Sequence, residues 1–146
     1  MRAHVQRVRR ASVTASGKVV GEIGAGAVIL LGVKKGDSEE DARRLAQRCA
    51  DLRCFADERG NLNRSITETG GAFLVVSQFT LYADTRGGRR PSFTEAAPGA
   101  EAEPLYLFFC GELERRGFTV ARGVFGAMMD VELVNEGPVT LLLEQP

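Results

Sequence analysis

Apolar residues in this chain fall into two arrangements, continuous runs and helically spaced positions, and these predict most of its elements. Residues 1–9 read as a first strand. Residues 11–15 and 18–23 flank Ser16-Gly17, a favourable hairpin turn. Ala27–Val33 is an unbroken apolar run, which suits a strand covered on both faces. Ser38 with Asp41 resembles a capping box, and Ala42, Leu45, Ala46, Cys49 and Leu52 follow at helical spacing, so 39–53 predicts an amphipathic helix. Residues 57–71 are polar and read as irregular, and Ala72–Gln78 reads as a second buried strand. Residues 84–100, with three glycines and two prolines, form the longest irregular stretch. A second helix is predicted over about 103–116, stopped by Gly117. Residues 118–122, 130–135 and 138–144 read as closing strands, with Gly137-Pro138 as the turn between the last two. The expected fold is α/β, a single domain over 1–146 with a mixed, barrel-like β core and two main helices packed on it.

Composition narrows the picture only slightly. Nineteen basic residues balance nineteen acidic ones, so an RNA partner has no support from overall charge. No apolar run reaches membrane-spanning length and no signal-peptide pattern is present, which leaves a cytoplasmic protein as the expectation. Cys49, Cys54 and Cys110 lack a C-x-x-C spacing, so neither a disulfide framework nor a zinc site is indicated; they read as small buried hydrophobes.

Candidate chemistry begins with an absence. His4 is the single histidine, so a Ser-His-Asp triad or a multi-histidine metal site would rest on it alone. Ser77-Gln78-Phe79-Thr80 ends an apolar strand; its polar side chains either face a ligand at the sheet rim or satisfy local backbone groups. Gly137-Pro138 is either a plain turn or a rigid main-chain device. Arg86, Arg89 and Arg90 sit in a Gly-containing loop and could meet phosphates or lie solvated; Arg7, Arg9 and Arg10 form a second basic group. Phe125 is a core aromatic or a stacking platform for a base.

Taken together, these segments resemble one family. Met1-Arg2-Ala3, Gln6-Arg7-Val8, Ala11-Ser12-Val13, Gly32-Val33, Ser77–Asp84, Gly88–Phe93, Phe125-Gly126-Ala127 and Asn135–Thr140 resemble the D-aminoacyl-tRNA deacylases in order and spacing, from the first residue to about Leu143. The resemblance implies hydrolysis of the ester of D-aminoacyl-tRNA, and of glycine mischarged on alanine tRNA, by a homodimer with its active sites at the subunit interface. It implies that Gly137 and Pro138 form a Gly-cisPro pair reaching into the partner's site and excluding L side chains. Ser77, Gln78, Phe79 and Thr80 are then the catalytic segment, with Arg7 and Phe125 as substrate-binding residues. No cofactor, metal, DNA or membrane partner is implied. An activated ester needs orientation and an oxyanion-stabilising amide, with the terminal ribose 2′-hydroxyl assisting. His4 departs from the usual aliphatic residue, with no functional consequence expected.

Two other readings remain at this point. One is an esterase with Thr80 or Ser77 as covalent nucleophile, although no base is evident to activate it. The other is a non-catalytic RNA-binding module.

Overall fold

In the computed structural model, which describes residues 1–146, the first strand is longer than the sequence pattern predicts. Strand β1 runs unbroken over Arg2–Ala15, where two strands were expected. Exposed Arg9 and Arg10 interrupt the apolar alternation, yet the chain only shifts register there and continues. The shift changes β1's partner. Residues up to Val8 pair antiparallel with β3 (Gly26–Gly32), and residues from Ala11 pair with β2 (Lys18–Ile23). Ser16 and Gly17 join β1 to β2 with φ of +50° and +73°, the left-handed pair that a tight hairpin turn requires.

The polar stretch expected to be irregular carries a small hairpin, β4 (Phe55–Ala56) with β5 (Leu62–Arg64), and a one-turn helix α2 (Ile66–Thr69). Strand β6 (Ala72–Ser77) then lies parallel to β3, and β7 (Val120–Arg122) parallel to β6. Parallel neighbours need crossover connections. Helix α1 (Glu39–Asp51) supplies the first and helix α3 (Gly99–Arg115) the second. The strand order is β2-β1-β3-β6-β7. The sheet curls until β2 returns to β7, so close that a Cβ on Gly21 would sit 2.8 Å from the Arg122 carbonyl oxygen. The result is the nearly closed, mixed barrel of the expected α/β class. Gly26 sits at its tightest point: a Cβ there would lie 1.9 Å from the Ala72 carbonyl oxygen.

Helix α1 begins with the predicted capping box between Ser38 and Asp41 and ends at Asp51, two residues early. Helix α3 begins four residues earlier than expected, at Gly99, and carries Pro104 within it. Pro104 suggests a helix start by sequence, but buried Ala102 extends the apolar face N-terminally. Both helices cover one face of the sheet, where Leu45, Cys49, Phe109, Cys110 and Leu113 form the main core with β-strand residues such as Ile29, Leu31 and Phe73. A smaller cluster, including Val8, Val13, Val28, Leu74 and Val76, fills the barrel interior. All three cysteines are free and buried, as hydrophobes are.

The last strand corrects a second expectation. Residues 130–135 and 138–144 are not two strands around a turn. They are one strand, β8 (Met129–Glu144), antiparallel to nearly the whole of β1. Asn135 pairs with Val8 and Thr140 with Gln6, so residues 136–139 bulge out opposite the single residue Arg7. Strand β8 pairs with β1 alone, and its other edge is free.

Candidate active site

Strand β6 ends at Ser77, and its neighbour β3 sets the path of the chain beyond that point. The Gln78 amide still bonds the Leu31 carbonyl at 2.8 Å, one step past the strand. The chain then folds into a 3-10 turn over Phe79–Tyr82, against Gly32 of β3. A Cβ on Gly32 would lie 3.1 Å from both the Gln78 carbonyl oxygen and the Leu81 Cβ, so Gly32 makes room for the turn. At the start of the turn, the amide N–H groups of Phe79 and Thr80 precede its first bond, from the Leu81 amide to the Gln78 carbonyl at 3.3 Å, and have no partner within the turn. Orphan donors of this kind are ready to receive an oxygen of a ligand. The Gln78 side-chain amide donates to the Thr80 hydroxyl.

Facing this turn is the segment after β7. Phe125 is half-buried, with its ring 5.9 Å from that of Tyr106 and an atom 3.6 Å from where a Cβ on Gly99 would lie. Tyr106 is itself anchored, its hydroxyl donating to the Val75 carbonyl at 2.8 Å, and burial pushes its ionisation well up. Between the two walls lies a cleft of about 600 Å³, with Ser77, Gln78, Phe79 and Thr80 on one side and Phe125 and Met129 on the other. Its lining is mostly apolar, with a few polar groups clustered at the turn, as small-molecule sites usually are.

Arg7, Gly137 and Pro138 gather elsewhere. The Arg7 side chain is buried beneath the β8 bulge and donates to the carbonyls of Cys54 (2.8 Å), Glu136 (3.2 Å) and Gly137 (3.4 Å). The Glu136 carboxylate lies 3.6 Å from its Nε. Asn135 spans the bulge from the other side, its amide donating to the carbonyls of Arg7 and Val139, each at 3.0 Å. The Gly137–Pro138 peptide bond is cis, and both residues are exposed.

Two groups of sequence-derived candidates therefore occupy different places on one chain. Beside Arg7, strands β1 and β3 separate the β8 bulge from β6, about 14 Å across the sheet, whereas the start of β8, at Met129, reaches the cleft. Arg7 sits opposite Ala27 and hence Phe73, whereas Ser77 lies four residues further along, about 13 Å. Arg7 contributes to the bulge and not to the lining of the cleft. His4 lies in β1 between Leu30 and Leu142, outside the cleft lining. Sequence reasoning passed over Gly32, Tyr106, Asn135 and Met129 as site-building residues. Asn135 and Gly32 were visible within the motifs. Tyr106 and Met129 look like ordinary core positions until the fold sets them beside Phe125 and the turn.

Comparison with known proteins points one way. The sequence model of the family described as D-Tyr-tRNA(Tyr) deacylase matches residues 4–144. The chain is 62% identical over 144 residues to the D-aminoacyl-tRNA deacylase of Roseiflexus sp. (strain RS-1), covering 99% of this chain and 93% of that one. It is 56% identical to the D-aminoacyl-tRNA deacylase of Thermus aquaticus, covering 99% and 95%. Among solved structures, a protein called c-Myc DNA Unwinding Element Binding Protein superposes with a TM-score of 0.93 at 39% identity, over 100% of this chain and 99% of that one. A probable eukaryotic D-amino acid tRNA deacylase shares the fold at 18% identity, with a TM-score of 0.83 over 97% of each chain.

Proposed function

The chain belongs to the D-Tyr-tRNA(Tyr) deacylase family, and from that premise we propose that it removes D-amino acids from tRNA while sparing the L-esters. Membership makes it a hydrolase of aminoacyl-tRNA. One observation carries the finer reading. The Phe79 and Thr80 amides, with no partner within their turn, and the half-buried Phe125 ring face each other across one cleft. The amides orient the aminoacyl carbonyl and stabilise the oxyanion, and the ring stacks on the terminal adenine. Water adds to the carbonyl carbon, the bond to the ribose oxygen breaks, and that oxygen takes a proton. The neighbouring 2′-hydroxyl assists the proton movement, and no resident metal takes part. Thr80 positions the substrate: its hydroxyl is held by Gln78, and no base is at hand to make it a nucleophile.

Chiral selection in this proposal comes from a second copy of the chain. Gly137 and Pro138 of one subunit close the cleft of the other, where their main chain excludes an L side chain and accepts a D residue or glycine. Two features support the arrangement. The bulge is remote from its own chain's cleft, and the free edge of β8 beside it exposes Leu141 and Leu142. The enzyme so described works in the cytoplasm, and glycine mischarged on alanine tRNA is a second substrate.

Incubation with D-tyrosyl-, L-tyrosyl- and glycyl-tRNA, with and without chelator, tests this reading. Release of D-tyrosine and glycine alone, unaffected by chelator, is expected. Intact D-esters would leave only a binding module, and loss of activity with chelator would remove the metal-free mechanism. A monomeric variant that kept its fold and full activity would overturn the cross-subunit site.

A further inference from the structure

We infer that the loop between Asp84 and Glu95 is an RNA-backbone contact, in which Arg89 and Arg90 bind phosphodiesters of the acceptor end just beyond the nucleotide held in the cleft. The inference rests on the proposed function for the identity of the RNA.

The loop is fixed to the cleft. Asp84 and Ser92 exchange two backbone hydrogen bonds, at 2.7 and 2.8 Å, which close its neck. The Lys35 amide bonds the Glu95 carbonyl at 3.0 Å. The Phe93 ring meets the Phe79 ring edge-to-face at 5.1 Å, so the loop is packed against a residue that lines the cleft. Arg90 is three residues from Phe93, which keeps their Cα atoms within about 10 Å. Pro91 restricts Arg90 to extended backbone, so the charged pair is partly preordered.

Charge pairing leaves these two residues free beside the cleft, while other arginines without a carboxylate, such as Arg9, Arg59 and Arg116, lie outside this loop. Nine arginines of this electrically neutral chain face a carboxylate. Within the loop, Arg86 is held by Asp84 at 2.9 and 2.8 Å, and Glu95 faces Lys34 at 3.7 Å. Arg89 and Arg90 are exposed and have no carboxylate partner, so the loop presents two adjacent free guanidinium groups. The guanidinium fork suits phosphate oxygens, and an ester seated in the cleft would carry its own phosphodiester chain outward past the mouth. That also resolves the conflict between a neutral protein and a polyanionic substrate: the contact is local.

The test measures affinity for uncharged tRNA as a function of salt, by fluorescence anisotropy of 5′-labelled tRNA. In R89Q/R90Q the slope of log affinity against log salt should be shallower by about two, one for each lost phosphate contact, with binding about tenfold weaker at low salt. R89K/R90K keeps the charge and should recover the slope. Equal slopes for wild type and R89Q/R90Q would overturn the inference. So would a poly-glutamate peptide binding as tightly as tRNA. In parallel, the loss of R89Q/R90Q activity on D-tyrosyl-tRNA should exceed its loss on D-tyrosyl-adenosine by about tenfold, and equal losses would again count against it. A wild-type protein inert on both esters would overturn the proposed function, while the salt slope would still decide the arginine contact.

Discussion

The Tyr106 hydroxyl donates to the Val75 carbonyl at 2.8 Å, tying helix α3 to strand β6. These are the elements that bring the two walls of the cleft together: β6 runs into the 3-10 turn, and Tyr106 backs Phe125. The Val75 carbonyl also accepts from the Gly123 amide at 3.1 Å, so it would not be left bare if the hydroxyl were removed. Tyr106→Phe should therefore cost about 1 kcal/mol, seen as a drop of a few degrees in Tm. A loss beyond about 3 kcal/mol would mean that the hydroxyl does more than this bond.

Arg7 makes a different kind of link, since one buried guanidinium holds three carbonyls under the β8 bulge. Lysine cannot reproduce that fork. Arg7→Lys is expected to lose about 2–3 kcal/mol in urea unfolding and to relax discrimination between D- and L-tyrosyl-tRNA. Unchanged selectivity in a folded variant would show that Arg7 does not hold the bulge in its working shape.

Gly26 tests the barrel. Its φ is +157°, and any Cβ would collide with the Ala72 backbone. Gly26→Ala should force β3 and β6 apart and cost at least about 3 kcal/mol, read as lost soluble yield or a collapsed urea midpoint. Near-normal stability would show that the sheet yields more easily than this packing implies.

Thr80 and Gln78 separate the two esterase mechanisms. Thr80→Val should lower kcat on D-tyrosyl-tRNA by no more than about thirtyfold, whereas removing a covalent nucleophile typically costs about 10⁴-fold or more. Gln78→Ala frees the Thr80 hydroxyl from its donor and should raise KM more than it lowers kcat. A trapped acyl-enzyme on wild-type protein would favour the nucleophile.

Cys49 is one of several buried groups, with Cys54, Tyr82, Tyr106 and Cys110, whose ionisation is pushed up by burial and ties stability to alkaline pH. Burial pushes the Cys49 thiol up to about 12, from an ordinary value near 9. The folded state keeps the Cys49 proton after the unfolded chain has released it, so its contribution to stability is complete below about pH 9 and falls between there and pH 12. Cys49→Ala should flatten that decline in urea midpoints measured from about pH 8 to 11. All three thiols should resist a thiol reagent until the protein unfolds.

Local signals were legible in the sequence wherever the cause was local. The Ser38–Asp41 cap, the Ser16-Gly17 turn and the apolar runs of β3 and β6 depend on neighbouring residues, and all are found close to their expected places. Continuity was harder to read. Arg9-Arg10 and Gly137-Pro138 look like strand breaks, but long-range pairing between β1 and β8 carries both strands through them. The same pairing places Arg7: read as one of a basic group and, through the resemblance, as substrate-binding, its side chain is drawn inward because the bulge leaves carbonyls that need a donor. Gln78 and Thr80 were readable as polar strand-end residues, but not the orphan amides beside them, since a main-chain donor has no letter in the sequence.

Donors without a letter also evolve differently. The Phe79 and Thr80 N–H groups belong to the backbone, so a change of codon replaces the side chain and leaves the donor in place. Proline alone among the substitutions would delete it. A reaction that passes through these two amides, as proposed, is thus shielded from most mutational drift, since it requires only the main chain of Phe79 and Thr80. The vulnerable positions lie one layer back, at Gly32 and Gly26, where an added methyl group would disturb the turn and the strands that aim it.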